Sequence, residues 1–182
     1  LGQQVTVTAA TESDLDELAA VAAQTFPLAC PPAVSPVNVA AFIAQNLTAD
    51  RFAAYLRDPG RDVLIATVDG RILGYAMMIR GVPDDPVVQR AVTVRPAVEL
   101  SKMYVLPEAH GSAVAAELMT AALRHAAEDG AAAVWLGVNQ NNTRAQSFYA
   151  KHGFRVSGTK TFLLGTHLEN DYVMLRVLGT AS

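Results

Sequence analysis

Apolar positions along the first thirty residues recur at helical spacing. Leu15, Leu18, Ala19, Ala22 and Phe26 line one face of a predicted helix. Ser13, standing before an acidic first turn, is its expected cap. The run "CPPAVSP" breaks that helix. Ser35 followed by Pro36 opens a second, with proline in the first turn where its missing N–H costs nothing. Thr48 is expected to cap a third, short helix through Arg57. The period then shortens. "RDVLIATV" and "RILGYAMMIRG" flank Asp69-Gly70, the strongest short hairpin signal. After the connection "GVPDDPVVQRAVTVRP", "AVELSKMYV" reads as a strand. Gly111 to Asp129 reads as a long helix ended at Gly130. "AAAVWLGV" reads as a buried strand and "NTRAQSFYAKHG" as a helix with a glycine stop. "FRVSGTKTFLLG" and "DYVMLRVL" close the chain as two strands. Helices, then two or three strands, then strand–helix–strand–helix–strand–strand predicts an α/β fold with a mixed sheet. No linker, repeat or composition shift divides the chain, so residues 1–182 are expected to form a single domain.

Composition narrows the function. With 51% apolar and 17% charged residues the chain is globular. A net charge of -3 with scattered Lys and Arg gives no polycationic footprint, so no nucleic-acid partner is expected. No apolar run reaches the roughly 18 residues of a membrane span, so no membrane partner is expected either. No secretory leader is legible, and the chain starts at Leu1 without a methionine, which leaves the natural start open. One cysteine, Cys30, has no partner for an internal disulfide, which fits a reducing cytoplasm. It stands beside two prolines with no nearby base and reads as passive. The abundance of alanine is compatible with a GC-rich bacterial genome.

Candidate chemistry sits in the strand–helix–strand centre. In "SKMYVLPEAHGSAVAAELM" a strand runs into a turn and small residues open a helix. The first N–H groups of a helix lack intrahelical partners and, with the helix dipole, suit a phosphate. His110 to Ala115 would be that cradle, although the stretch is neither a Walker motif nor a dinucleotide fingerprint. Taken alone, the stretch reads more simply as a tight turn ahead of an alanine-rich core helix. The later stretch "NNTRAQSFYAKHGF" decides between them. Its Asn142, Ala145, Tyr149, Lys151, Gly153 and Phe154 match the pattern Asn-x-x-Ala-x-x-x-Tyr-x-Lys-x-Gly-Phe. His110-Gly-Ser-Ala113-Val-Ala115 approximates (Arg/Gln)-x-x-Gly-x-(Gly/Ala), about 30 residues upstream. In both motifs the chain resembles the GCN5-related N-acetyltransferase (GNAT) superfamily, and in "VWLGVNQNNTRAQSFYAKHGF" followed by "GTKTFLLG" it looks like the PaiA-type polyamine acetyltransferases.

The resemblance implies a mostly antiparallel mixed sheet flanked by helices, with two central strands splayed around acetyl-CoA. Backbone groups of Met103, Tyr104 and Val105 would face the pantetheine and the thioester carbonyl. His110, Gly111, Ser112, Ala113, Val114 and Ala115 would hold the pyrophosphate, and Asn142 would orient the cofactor, unless it simply caps its helix. Tyr149 would be the general acid for the leaving thiolate. Glu99, matched by a glutamate in the PaiA-like pattern, would help remove the amine proton. At pH 7 only about one primary amine in a few thousand is neutral, so that help is valuable. Period-2 alternation would place Glu99, Ser101, Met103 and Val105 on one strand face. Phe148 reads as core, and Lys151 and Glu108 as surface. His125, His152 and His167 show no ligand spacing, so no metal is expected. Asp84, Asp85, Glu99, Glu169 and Asp171 are the carboxylates that could line a groove for a cationic acceptor. The expected partners are acetyl-CoA and a small amine, with homodimer formation open. Acceptors other than a polyamine stay open too: an antibiotic, an amino acid or a protein amine. So does a non-catalytic acyl-CoA sensor.

Overall fold

The computed structural model describes residues 4–179. Seven strands form one sheet: β1 (Thr6–Ala9), β2 (Arg61–Val68), β3 (Arg71–Arg80), β4 (Ala97–Val105), β5 (Ala133–Asn139), β6 (Arg155–Leu164) and β7 (His167–Val177), in the order β1-β2-β3-β4-β5-β7-β6. Every neighbouring pair is antiparallel except β4–β5. The helices are α1 (Leu15–Ala29), α2 (Pro36–Asn46), α3 (Ala49–Arg57), α4 (Pro86–Ala91), α5 (Val114–Glu128) and α6 (Thr143–Lys151).

Local chemistry explains most boundaries. Asp69 and Gly70 both take positive φ, 51° and 76°, as a two-residue hairpin turn requires. The hydroxyls of Ser35 and Thr48 accept the Asn38 and Arg51 N–H groups, capping α2 and α3. At the start of α1 the expectation fails: Asp14, not Ser13, is the N-cap residue, and Thr11 caps the turn ahead of it. The Thr11 N–H donates to the Asp14 carboxylate at 2.8 Å, and Glu12–Asp14 turn as a 3-10 segment before α1 begins. The predicted helix from Gly111 begins only at Val114, because Gly111 takes φ 79° in the preceding turn. Two elements went unread. The four-residue β1 is too short to show a period. In α4, Asp85 accepts the Val87 N–H at 2.9 Å ahead of Pro86, the same cue as Ser35-Pro36.

The sheet separates two cores. On one face α5 packs over Val98, Leu100, Val134, Leu136 and Val138, joined by Phe148 and Tyr149 of α6. On the other, α1–α3 cover the β2–β3 half. On that same face α4 covers Ala133, Trp135 and Val173. The strip of this second face between α1–α3 and α4 is where the site opens.

Candidate active site

The parallel β4–β5 ladder holds only at Ala97↔Ala133, Val98↔Val134 and Glu99↔Trp135. Beyond Glu99 the strands diverge, so the splay expected from the motifs is present. From Leu100 to Val105 one edge of β4 has no strand partner among the described residues, which leaves backbone groups other than the Val105 carbonyl open to a ligand.

A β-bulge then changes which side chains face which way. Met77 pairs with Lys102 and Met78 with Leu100, leaving Ser101 as the extra residue. One inserted residue reverses the alternation. Glu99, Lys102 and Tyr104 therefore line the cleft on the α1 face, while Met103 and Val105 pack with the α5 core. The expected common face of Glu99, Ser101, Met103 and Val105 is corrected by this bulge.

Two cavities meet at the splay. The first is bordered by Met103, Tyr104, Val105, His110, Ala115 and Asn142. The second runs over Glu99, Lys102, Lys160 and Asp171. Tyr104, Asn142, Ala145 and Tyr149 belong to both. At the turn into α5, the His110 Nε2–H donates to the Val105 carbonyl at 3.0 Å, so this ring nitrogen fastens the turn to the end of β4. The Ser112 hydroxyl donates to the Ala109 carbonyl and accepts the Val114 N–H. The N–H groups of Gly111 and Ala113 find no acceptor among the described residues. With the α5 dipole behind them they form an anion cradle.

Asn142 caps α6: its Oδ1 accepts the Ala145 N–H at 3.1 Å, which leaves the amide Nδ2–H free at the junction of the cavities. Seven residues on, Tyr149 packs edge-on to Phe148 and Phe154. Its hydroxyl has no hydrogen-bond partner among the described residues. Burial pushes the phenol up to about 12. Phe148 joins the core, while Lys151 is exposed.

The second cavity is densely charged. Burial raises the Glu99 carboxyl, opposed by the positive Lys160, Lys102 and Arg61. It lowers the Lys102 ammonium, opposed chiefly by Glu99. Lys160 lies 3.6 Å from Asp171, and both side chains are largely buried. Glu169 accepts from the Asn139 amide and pairs with His167, each at 2.7 Å. Phe26, Phe42 and Phe162 wall the cavity, with Phe26 and Phe42 stacked at 4.5 Å. The Cys30 thiol lines it too. Its Sγ–H donates to the Phe26 carbonyl, and burial pushes it up to about 11, far from a thiolate at neutral pH.

Of the expected groove carboxylates, Glu99, Glu169 and Asp171 line the cavity. Asp84 and Asp85 do not: both are exposed, and Asp85 serves as the α4 cap. Glu108 pairs with Arg71 on the surface. Lys102, Lys160, Phe42 and Phe162 were missed in the sequence. Gly137 in "VWLGV" was the signal for Lys160, since a glycine inside an apolar strand marks a close approach. A Cβ there would sit within 3.1 Å of the Lys160 Nζ and 3.2 Å of the Asp171 carboxylate. Away from the cleft, Asp62, His125 and Asp129 converge in a group with metal-ligand chemistry. The Arg80 guanidinium already bonds both carboxylates, at 2.8 and 2.7 Å, and serves as their cation.

Comparison with known proteins agrees with this geometry. Residues 24–154 match the model of the acetyltransferase (GNAT) family. A protein of Mycobacterium tuberculosis described as an uncharacterized N-acetyltransferase is 58% identical over 166 residues, covering 91% of this chain and 99% of its own. The fold is similar to that of a PaiA N-acetyltransferase from Thermoplasma acidophilum solved in complex with coenzyme A. That likeness has a TM-score of 0.74 at 18% identity, over 96% of this chain and 99% of that one. A GCN5-related N-acetyltransferase from Rhodopseudomonas palustris superposes with a TM-score of 0.72 at 21% identity, over 98% and 99% of the two chains. The α5 turn, the splayed strands and the matched family model lead to one conclusion: this chain belongs to the GNAT family of acetyltransferases.

Proposed function

We propose that the protein transfers the acetyl group of acetyl-CoA to a primary amine of a small molecule, by direct attack of the amine on the thioester. The meeting of two cavities at Tyr104, Asn142 and Tyr149 carries this reading. One cavity has an anion cradle at its end, and the other has buried charge. Gly111, Ser112, Ala113, Val114 and Ala115 hold the pyrophosphate, with the free N–H groups of Gly111 and Ala113 in first place. His110 positions that turn through Val105. The unpartnered edge of β4 from Leu100 to Val105 takes the pantetheine and supplies an N–H to the thioester carbonyl. A preorganised donor of this kind is worth about 3 kcal/mol of barrier.

Glu99 accepts the proton of the ammonium, directly or through water. Burial helps, because a carboxylate with a raised pKa is a stronger base. The amine attacks, the tetrahedral intermediate forms against the β4 edge, and its collapse expels the thiolate. Tyr149 donates to that sulfur, and the free Nδ2–H of Asn142 orients the arm beside it. A metal has no role in these steps. Among acceptors, a polyamine is the class suggested by the PaiA-like motifs, but Lys102 and Lys160 on the cavity floor disfavour a polycation. The test is a screen of amines for acetyl-CoA-dependent release of free thiol. Transfer to one class identifies the acceptor. Tight acetyl-CoA binding with no transfer to any amine would favour the acyl-CoA sensor instead.

A further inference from the structure

We propose that the acceptor is a zwitterion, an amine that carries a carboxylate close to the reacting nitrogen, with Glu99 facing the amine and Lys102 the carboxylate. This rests on the acetyltransferase reading and specifies its substrate. The bulge at Ser101 puts Glu99 and Lys102 side by side on the cleft face of β4. They are the two cleft charges left without a counter-ion. Lys160 has Asp171, and Glu169 has Asn139 and His167. Among the described residues, neither Glu99 nor Lys102 has an ion-pair partner within 4 Å. Lys102 has only the face of Phe42, 5.5 Å from its ammonium.

Two half-buried opposite charges with no counter-ion in direct contact are costly unless a ligand completes them. A simple cation would complete Glu99 and meet repulsion from Lys102. An anion would do the reverse. A zwitterion satisfies both at once. The burial that raises Glu99 and lowers Lys102 is relieved for each by the opposite charge of such a ligand. The Phe26, Phe42 and Phe162 walls strengthen both contacts by excluding water, and they offer apolar surface for the rest of the molecule. Lys160, held over Gly137 by Asp171, adds a second ammonium to the cleft, one that also acts on Glu99, and argues further against a polyamine.

The experiment compares matched acceptors: L-phenylalanine, L-phenylalaninamide and phenethylamine, the same trio built on alanine and on leucine, and spermidine. The wild type is expected to give the highest kcat/KM with a free acid. In Lys102→Met the acid-to-amide ratio of kcat/KM should fall about thirtyfold, the scale of one charge-assisted contact. Lys102→Arg should keep most of that ratio, which separates charge recognition from damage to the fold. A wild type that prefers amides, simple amines or spermidine overturns the proposal. So does a Lys102→Met protein that loses acid and amide equally. If nothing is acetylated, no amine of this panel is the acceptor. Calorimetry of the same acids against the protein–CoA complex then judges the zwitterion site alone: binding that Lys102→Met abolishes upholds it, and no binding to the wild type sinks it.

Discussion

Tyr149→Phe removes one oxygen at the junction of the two cavities. The hydroxyl makes no hydrogen bond to the described residues, while the ring keeps its edge contacts with Phe148 and Phe154 at 5.6 and 5.9 Å. Stability should therefore change by less than about 0.5 kcal/mol, the usual range for a substitution that breaks no network. The chemistry should suffer more. Burial pushes the phenol to about 12. A thiolate has an ordinary pKa near about 8.5, so complete proton transfer from the phenol would be uphill by roughly 3.5 units, or about 5 kcal/mol. Tyr149 is thus better suited to donate a strong hydrogen bond while the C–S bond breaks than to hand over its proton fully. Loss of such a donor in a half-buried site is expected to lower kcat about a hundredfold, or about 2.7 kcal/mol. Because the phenol stays protonated through pH 10, the alkaline limb of the rate profile should be the same in both proteins. Stopped-flow thiol release under single turnover gives the chemical step directly. An unchanged single-turnover rate would refute the donor role. An alkaline limb present in the wild type and absent from Tyr149→Phe would refute the argument from its pKa.

Three further outcomes are expected. Ala113→Glu puts a carboxylate at the start of α5, and calorimetry should show acetyl-CoA affinity down at least tenfold, about 1.4 kcal/mol. Glu99→Gln should lower turnover and recover part of it as pH rises and more amine is neutral. In the wild type the acidic limb of kcat/KM should lie above the ordinary carboxylate range, since burial raises Glu99 and only its ionised form accepts a proton. A pH profile unaltered by the substitution would assign Glu99 no part in proton removal. Gly137→Val should displace Lys160 from its seat over β5 and weaken its pairing with Asp171. The acceptor KM should rise while acetyl-CoA affinity holds, and a loss of cofactor affinity instead would show that the sheet itself had shifted.

The sequence made the parts governed by local chemistry legible. The Asp69-Gly70 turn, the Ser35 and Thr48 caps, the limits of β4 and the Tyr149 helix all follow from short-range signals. What it hid depends on register. Ser101 carries no mark that it will be the extra residue in a ladder, because a bulge is set by pairing with β3. Lys102 therefore read as facing away from Glu99. Lys160 and Asp171 meet because β6 and β7 pair at those two positions, a contact that no spacing within either strand announces. Ser13 falls inside a 3-10 turn that Thr11 closes on Asp14, an extra turn before α1 that the helical period does not reveal.

The bulge also divides the work of β4 among its positions. Glu99, Lys102 and Tyr104 line the charged cavity, while Val98, Leu100, Met103 and Val105 belong to the α5 core. The cleft-facing and α5-facing side chains are thereby written on different letters of a single strand, with Tyr104 also packing on Phe26 and Tyr75 of the α1–α3 core. A library confined to Glu99 and Lys102 is expected to change which amine is taken while leaving the α5 core untouched. Deleting Ser101 would remove the bulge and leave a regular ladder, with Lys102 following Leu100 directly, still opposite Met77 and still on the cleft face. Ser101 thereby adds one residue to the run between Glu99 and Lys102, so its deletion is expected to draw the two charges together without changing the face they share.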